Sequence, residues 1–181
     1  PTPYGKDATK KIVRELAPYG CNIVSGLAYG IDATAHEAAL AGGLKTGAVL
    51  GCGVDIIYPE SNKKLSEKII EKGGFLMSEF PAGTPPLQHH FPQRNRIVAG
   101  LSLGTIVVEA KERSGALITA RLAMEEGREV FAVPGQIFSA LSAGPHKLIQ
   151  DGAKLVQSAK DIAEELFPEL IASAQENAKN S

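Results

Sequence analysis

The chain has 181 residues, 44% hydrophobic and 22% charged, proportions that fit one globular domain with a sizeable core and exclude fibrous and disordered classes. Its net charge of −1 excludes the broad basic surface common where nucleic acid is held by phosphate contacts, so any such site must be local. Two cysteines, Cys21 and Cys52, show neither CxxC spacing nor the density of a disulfide scaffold, which favours a reducing, cytoplasmic setting.

In chain order, Pro1-Thr2-Pro3-Tyr4-Gly5 leads directly into a helical period predicted over 6–16. A doubly wound sheet normally begins with a strand, so a further strand ahead of Pro1 is expected. Short apolar runs predict strands over 22–25, 48–50, 75–78, 105–110 and 130–133, with a weaker one over 154–156. Helical periods predict helices over 33–40, 61–71, 94–101, 117–126 and 161–166. Such alternation reads as an α/β fold with a mostly parallel sheet and helices on both faces. The strands lack polar alternation, as expected when both faces are covered. One core is expected over 1–172, and the small, polar residues 173–181 read as a tail or linker. No apolar run of about 18 residues occurs and no basic stretch precedes an apolar one at the N-terminus, so neither a membrane span nor a signal peptide is expected.

Ligands of open parallel sheets bind beyond the carboxyl ends of the strands, so the segments following the strands are the candidate loops. The first runs from Ser25-Gly26 to Asp32 and enters the helix that holds His36. A helix N-terminus there offers N–H groups to an anion, although Asp32 is placed to cap them itself, and His36 reads as packed or capping rather than as a ligand. The second, Gly51-Cys52-Gly53-Val54-Asp55, fails the GxGxxG dinucleotide pattern because Ile56 stands where a third glycine is needed. The third gathers His89, His90, Phe91, Arg94, Asn95 and Arg96 just before an apolar helical segment. Arginine forks suit phosphate and an aromatic face suits an unpaired base, while the bland alternative is a solvated helix start whose Phe91 plugs the core. Adjacent histidines without a further spaced ligand are a weak metal signal.

The fourth segment carries Ser114-Gly115 from a strand into a helix, a geometry that presents N–H groups to a phosphate, unless Ser114 is simply an N-cap. No GxxxxGK[ST] loop is present. Residues 87–121 are locally basic, with Arg94, Arg96, Lys111, Arg113 and Arg121 against Glu109 and Glu112. Glu79 and Glu109 each follow a strand and fit either acid–base chemistry or partnership with the arginines. GxSxG and HExxH patterns are absent, and neither cysteine has an obvious catalytic partner.

Taken together, SGLAYGIDATAH (25–36), GCGVDIIYPESN (51–62), SEFPAGTPP (78–86), HFPQRNRIVAGLS (90–102), VVEAKERSGALITA (107–120) and EVFAVPG (129–135) resemble the DNA-processing protein A (DprA, or Smf) family. The resemblance runs over nearly the whole chain. It implies an extended Rossmann-like fold that binds single-stranded DNA, protects it and passes it to a RecA-type recombinase in natural transformation or related recombination. It further implies a homodimer, no cofactor, no metal and no catalysis. Carried over residue by residue, His90, Phe91, Arg94, Asn95 and Arg96 would line the DNA pocket, with Ser25, Gly26, Ser114 and Gly115 contacting phosphates. Segment 142–155 resembles the family's self-association and partner surface, with His146, Leu148, Ile149 and Leu155 as its candidates. Relatives begin this domain with a strand ending in Gly-Ser-Arg ahead of the TPYG found here at 2–5, and some carry lysine at the positions of Glu60 and Gln88.

A second reading is a nucleotide-binding or nucleotide-processing enzyme related to nucleoside-monophosphate phosphoribohydrolases. Those show a PGGxGTxxE phrase where this chain reads ERSGALIT over 112–119.

Overall fold

The computed structural model describes residues 1–171, so the expected polar tail over 173–181 lies outside the described residues. Helix and strand alternate as α1 (Pro3–Glu15), β1 (Ile23–Ser25), α2 (Ile31–Ala41), β2 (Thr46–Val49), α3 (Lys63–Glu71), β3 (Phe75–Met77) and α4 (His90–Leu101). The second half continues as β4 (Gly104–Val107), α5 (Gly115–Glu125), β5 (Glu129–Ala132), α6 (Ala143–Gln150), β6 (Lys154–Leu155) and α7 (Ala159–Leu166). Every predicted strand is present. The ladder is parallel throughout, but it divides into two three-stranded sheets, β1-β2-β3 and β4-β5-β6, rather than one.

Residues alternate between the two faces of a strand, and in β5 both faces are apolar because helices cover both. Phe131 and Val133 turn toward Ile12 and Leu16 on and just after α1 and toward Ile162 of α7. Val130 and Ala132 turn the other way, toward Ala99, Ala120, Ala123 and Leu148 of α4, α5 and α6. In the first sheet, Ala48 of β2 packs with Leu27, Leu65 and Ile69 under α3. Burying one such large apolar side chain contributes about 1.5–3 kcal/mol, which is what holds helices to both faces. The expected doubly wound α/β architecture is therefore the one observed. No helix among the described residues is long and apolar enough to cross a membrane.

Two helices start three or four residues before their predicted positions, and a third has no predicted counterpart. α1 begins at Pro3, before the predicted residue 6, because Pro3 presets the first helical φ and the Thr2 side chain accepts from the Gly5 N–H at 3.1 Å. α4 begins at His90 rather than 94, since Pro92 falls in its first turn, where no intrahelical N–H is missed. α6 falls in segment 142–155, where no helix is predicted, and its Pro145 is accommodated because it too lies in a first turn. The result for function is that His90 and Phe91 belong to a helix. Because the strands of each sheet run in one direction, the loops after them collect along one rim, and α4 starts over it.

Candidate nucleic-acid interface

The first half of α4 lies against the ends of β1 and β2. Arg94, only 4% exposed, donates from Nη1 to the carbonyl oxygens of Gly26 (2.8 Å) and Val49, and from Nε to Asn95 Oδ1 (3.2 Å). Burial lowers its proton affinity, with Asp32 and then Cys52 opposing that shift. The rigid fork thus braces the ends of two neighbouring strands, β1 and β2, just past their last paired residues Ser25 and Ala48. A Cβ on Gly26 would lie 2.6 Å from Nη2, so the close approach requires glycine there.

Asp32 stands in the first turn of α2, but its Oδ2 reaches back to accept from the N–H groups of Gly26 (3.0 Å) and Ala28 (3.2 Å). The expected cap of a helix is therefore a clasp on the loop before it. The Gly26 N–H, expected at a phosphate, is held by this carboxylate. Ser25 is half-buried at the end of β1, in register with Ala48. His36 is fully buried with Nδ1 2.6 Å from Thr46 Oγ1, in keeping with a packed histidine.

His90 is buried as well, its Nδ1 3.2 Å from the Gly51 carbonyl oxygen and its ring stacked on Phe80 at 4.1 Å. The His89 ring meets it edge-on at 4.5 Å, so this pair packs rather than converging on a common point. Phe91 is half-buried. Its ring lies 5.7 Å from that of Tyr58, and the Arg94 guanidinium carbon sits 5.8 Å from its centroid, within cation–π range. A Cβ on Gly51 would come within 2.8 Å of the ring. Phe91 belongs to none of the three apolar clusters, so it is a partly open plate steadied from behind rather than a core plug.

One turn further along α4, Asn95 Nδ2 donates to the Gly115 carbonyl oxygen at 3.2 Å, which brings α4 to the start of α5. Ser114 occupies the N-cap position in extended backbone, yet its side chain makes no capping hydrogen bond. Its Oγ is buried and without a partner among the described residues. Such an orphan costs about 1–3 kcal/mol unless something arrives to satisfy it, and the first N–H groups of α5 share that need.

The two carboxylates open to an acid–base reading are both engaged. Glu79 pairs with Arg96, whose side chain is exposed. Glu109 accepts from the Thr2 N–H at 2.9 Å and from the Thr2 hydroxyl, placing its charge at the positive end of α1. Exposed Lys111 and Arg113 follow Glu109 toward Ser114.

Elsewhere, the four expected self-association positions divide. Leu148 packs into the core beside Val130 and Ala132. His146 Nε2 lies 3.0 Å from the Gly135 carbonyl oxygen, Ile149 is half-buried, and Leu155 is 44% exposed on β6, an edge strand of its sheet. The residue that sequence reasoning passes over at the main site is Tyr58, which sits in a Tyr-Pro turn and gives no local sign that it will back Phe91.

A family model described as DNA recombination-mediator protein A matches residues 1–167. DNA processing protein DprA of Streptococcus pneumoniae is 57% identical over 143 residues, covering 79% of this chain and 50% of its own length. The chain spans about half the length of the curated relatives it matches. An X-ray structure of the S. pneumoniae protein superposes with a TM-score of 0.86 at 50% identity, over 92% of this chain and 58% of that one. A structure of DNA processing protein A from Helicobacter pylori, described for its single-stranded DNA binding mode, superposes with a TM-score of 0.83 at 35% identity, over 93% and 76%.

Proposed function

The chain belongs to the DNA recombination-mediator protein A family, and from that premise we propose that it holds single-stranded DNA where α4 meets the start of α5, without chemistry on the strand. The observation that carries this reading is the orphaned Ser114 hydroxyl at an uncapped helix N-terminus beside Asn95. A phosphate there would accept from the free N–H groups and from Ser114 Oγ, favoured by the positive end of the helix dipole. Phe91 would stack an unpaired base, worth about 1–3 kcal/mol and indifferent to base identity. Arg96 is free to exchange Glu79 for a phosphate, because an exposed ion pair contributes at most about 1 kcal/mol. Arg94, His90, Ser25 and Gly26 then act from below, holding the rim on which Phe91 and Asn95 stand. The binding mode named for the H. pylori relative supports the ligand class.

In the cell this site would protect single strands and help to load a RecA-type recombinase during transformation or recombination, in the cytoplasm and as a homodimer. Glu79 and Glu109, each with a partner, favour this over a nucleotide-processing reading, which release of free base from a nucleotide panel would revive. Anisotropy titration with single and double strands at several salt concentrations tests the main reading. A single-strand preference is expected, with a slope of about −0.7 in log affinity against log salt per phosphate contact. Equal affinity for duplex would sink it. Phe91→Ala should weaken single-strand binding by about 5- to 100-fold and leave the salt slope unchanged, because it removes stacking and no charge.

For the homodimer, the exposed edge residue is the place to look. Leu155→Asp should yield a monomer in sedimentation while the melting temperature of the subunit fold holds. An unchanged mass would move the interface elsewhere.

A further inference from the structure

Between β5 and α6, residues 133–142 carry the two most exposed large apolar side chains among the described residues, Ile137 at 80% and Phe138 at 95%. Leaving a phenylalanine in water forgoes about 1.5–3 kcal/mol of burial, so a pair this exposed in one loop calls for a ligand. We propose that Phe138 is a second stacking position for the same single strand, one that longer strands reach after engaging Phe91. The proposal rests on the single-strand reading of the α4–α5 site.

The connection runs through hydrogen bonds. Asn95 ties α4 to Gly115, and the segment leading into Ser114-Gly115 is exposed Lys111, Glu112 and Arg113. Just before that segment, the Ala110 N–H donates to the Leu141 carbonyl oxygen at 2.8 Å, and the Gly144 N–H donates to the Ala110 carbonyl oxygen at 2.9 Å. The loop bearing Phe138 is therefore stitched to the strand end that feeds the basic pair. Followed through these bonds, the connection leads from Asn95 to Gly115, back along Arg113 and Lys111 to Ala110, and from Ala110 to the loop that carries Phe138.

An aromatic, a phosphate-binding stretch and another aromatic is the arrangement that suits a single strand, whose bases stack while its backbone tracks positive charge. Residues 134–142 contain no charged side chain, so the loop adds no ion pair to a strand and Phe138 offers it a stacking face.

The test compares the intact protein with Phe138→Ala, using a short oligothymidine that spans one aromatic position and another several times longer. Phe138→Ala is expected to weaken the long oligonucleotide by about 5- to 100-fold and to leave the short one unchanged, whereas Phe91→Ala weakens both. Joint replacement of Lys111 and Arg113 by glutamine should lower the salt slope for the long oligonucleotide by about 0.7 for each contact removed. Equal affinities of Phe138→Ala and the unmodified protein for the long oligonucleotide overturn the proposal alone. So does a shift in oligomeric state with length dependence unchanged, which would assign Phe138 to a protein contact. If the unmodified protein binds neither oligonucleotide, the single-strand reading falls and this proposal with it.

Discussion

Arg94→Met is expected to lower the stability of the fold by about 2–4 kcal/mol and its melting temperature by about 4–16 °C for a chain of this size. Methionine nearly fills the same volume, so the cavity term is small. What remains is the loss of a donor to the carbonyl oxygens of Gly26 and Val49. Each carbonyl left without a partner in a buried setting costs about 1–3 kcal/mol. Relief of the desolvation borne by a buried guanidinium offsets part of that, which is why the upper limit of the two losses is not reached.

Arg94→Lys should fall between, since a point ammonium supplies charge but not the planar fork that reaches Gly26, Val49 and Asn95 together. Thermal unfolding followed by anisotropy titration well below the transition separates the two roles. A phosphate ligand would lose affinity with little change in melting temperature, and a clamp loses both. An unchanged transition in Arg94→Met would sink the clamp and return Arg94 to the phosphate.

Burial of this kind is not legible in a local window. Arg94 stands between Gln93 and Asn95 in a helix of mixed polarity and reads as solvated, while its partners lie 68 and 45 residues away in the chain. The strands were legible because an apolar run bounded by glycine leaves few alternatives, and β2 is buried along its whole length. The division into two sheets was not, since it depends on which strand edges meet. The helix starts at His90 and Ala143 are hard to read from sequence because Pro92 and Pro145 fall in them, although a proline in a first turn costs no hydrogen bond. At Ser114 the residue type pointed equally to a cap and to an anion, and only the unpartnered Oγ distinguishes them. Phe138 escaped notice because exposure, not identity, marks it.

His36 should make stability fall between pH 6.5 and about pH 4, by up to about 3 kcal/mol beyond what the same chain with His36→Gln loses. The reasoning starts from one hydrogen atom. Thr46 Oγ1 donates its only hydrogen to the Ile23 carbonyl oxygen at 2.7 Å, so at 2.6 Å from His36 Nδ1 it must accept, and Nδ1 carries the proton. In the neutral ring Nε2 is then a bare lone pair, buried and without a partner among the described residues. Protonation would place a charged N–H there with nothing to receive it. Burial therefore lowers the pKa to about 4, and the nearby Asp32 carboxylate recovers only part of the shift.

For the sign, the unfolded chain binds a proton at His36 below about pH 6.5 and the folded chain does not until about pH 4, so acidification favours unfolding across that window. The stabilisation is fully present above the window and is gone below it. Glutamine keeps a donor for Thr46 and has nothing to titrate, so the difference between the two proteins isolates His36 from the carboxylates that titrate in the same range. Denaturant unfolding at several pH values measures it, and parallel pH profiles for the two proteins would show that His36 is already free to charge in the fold.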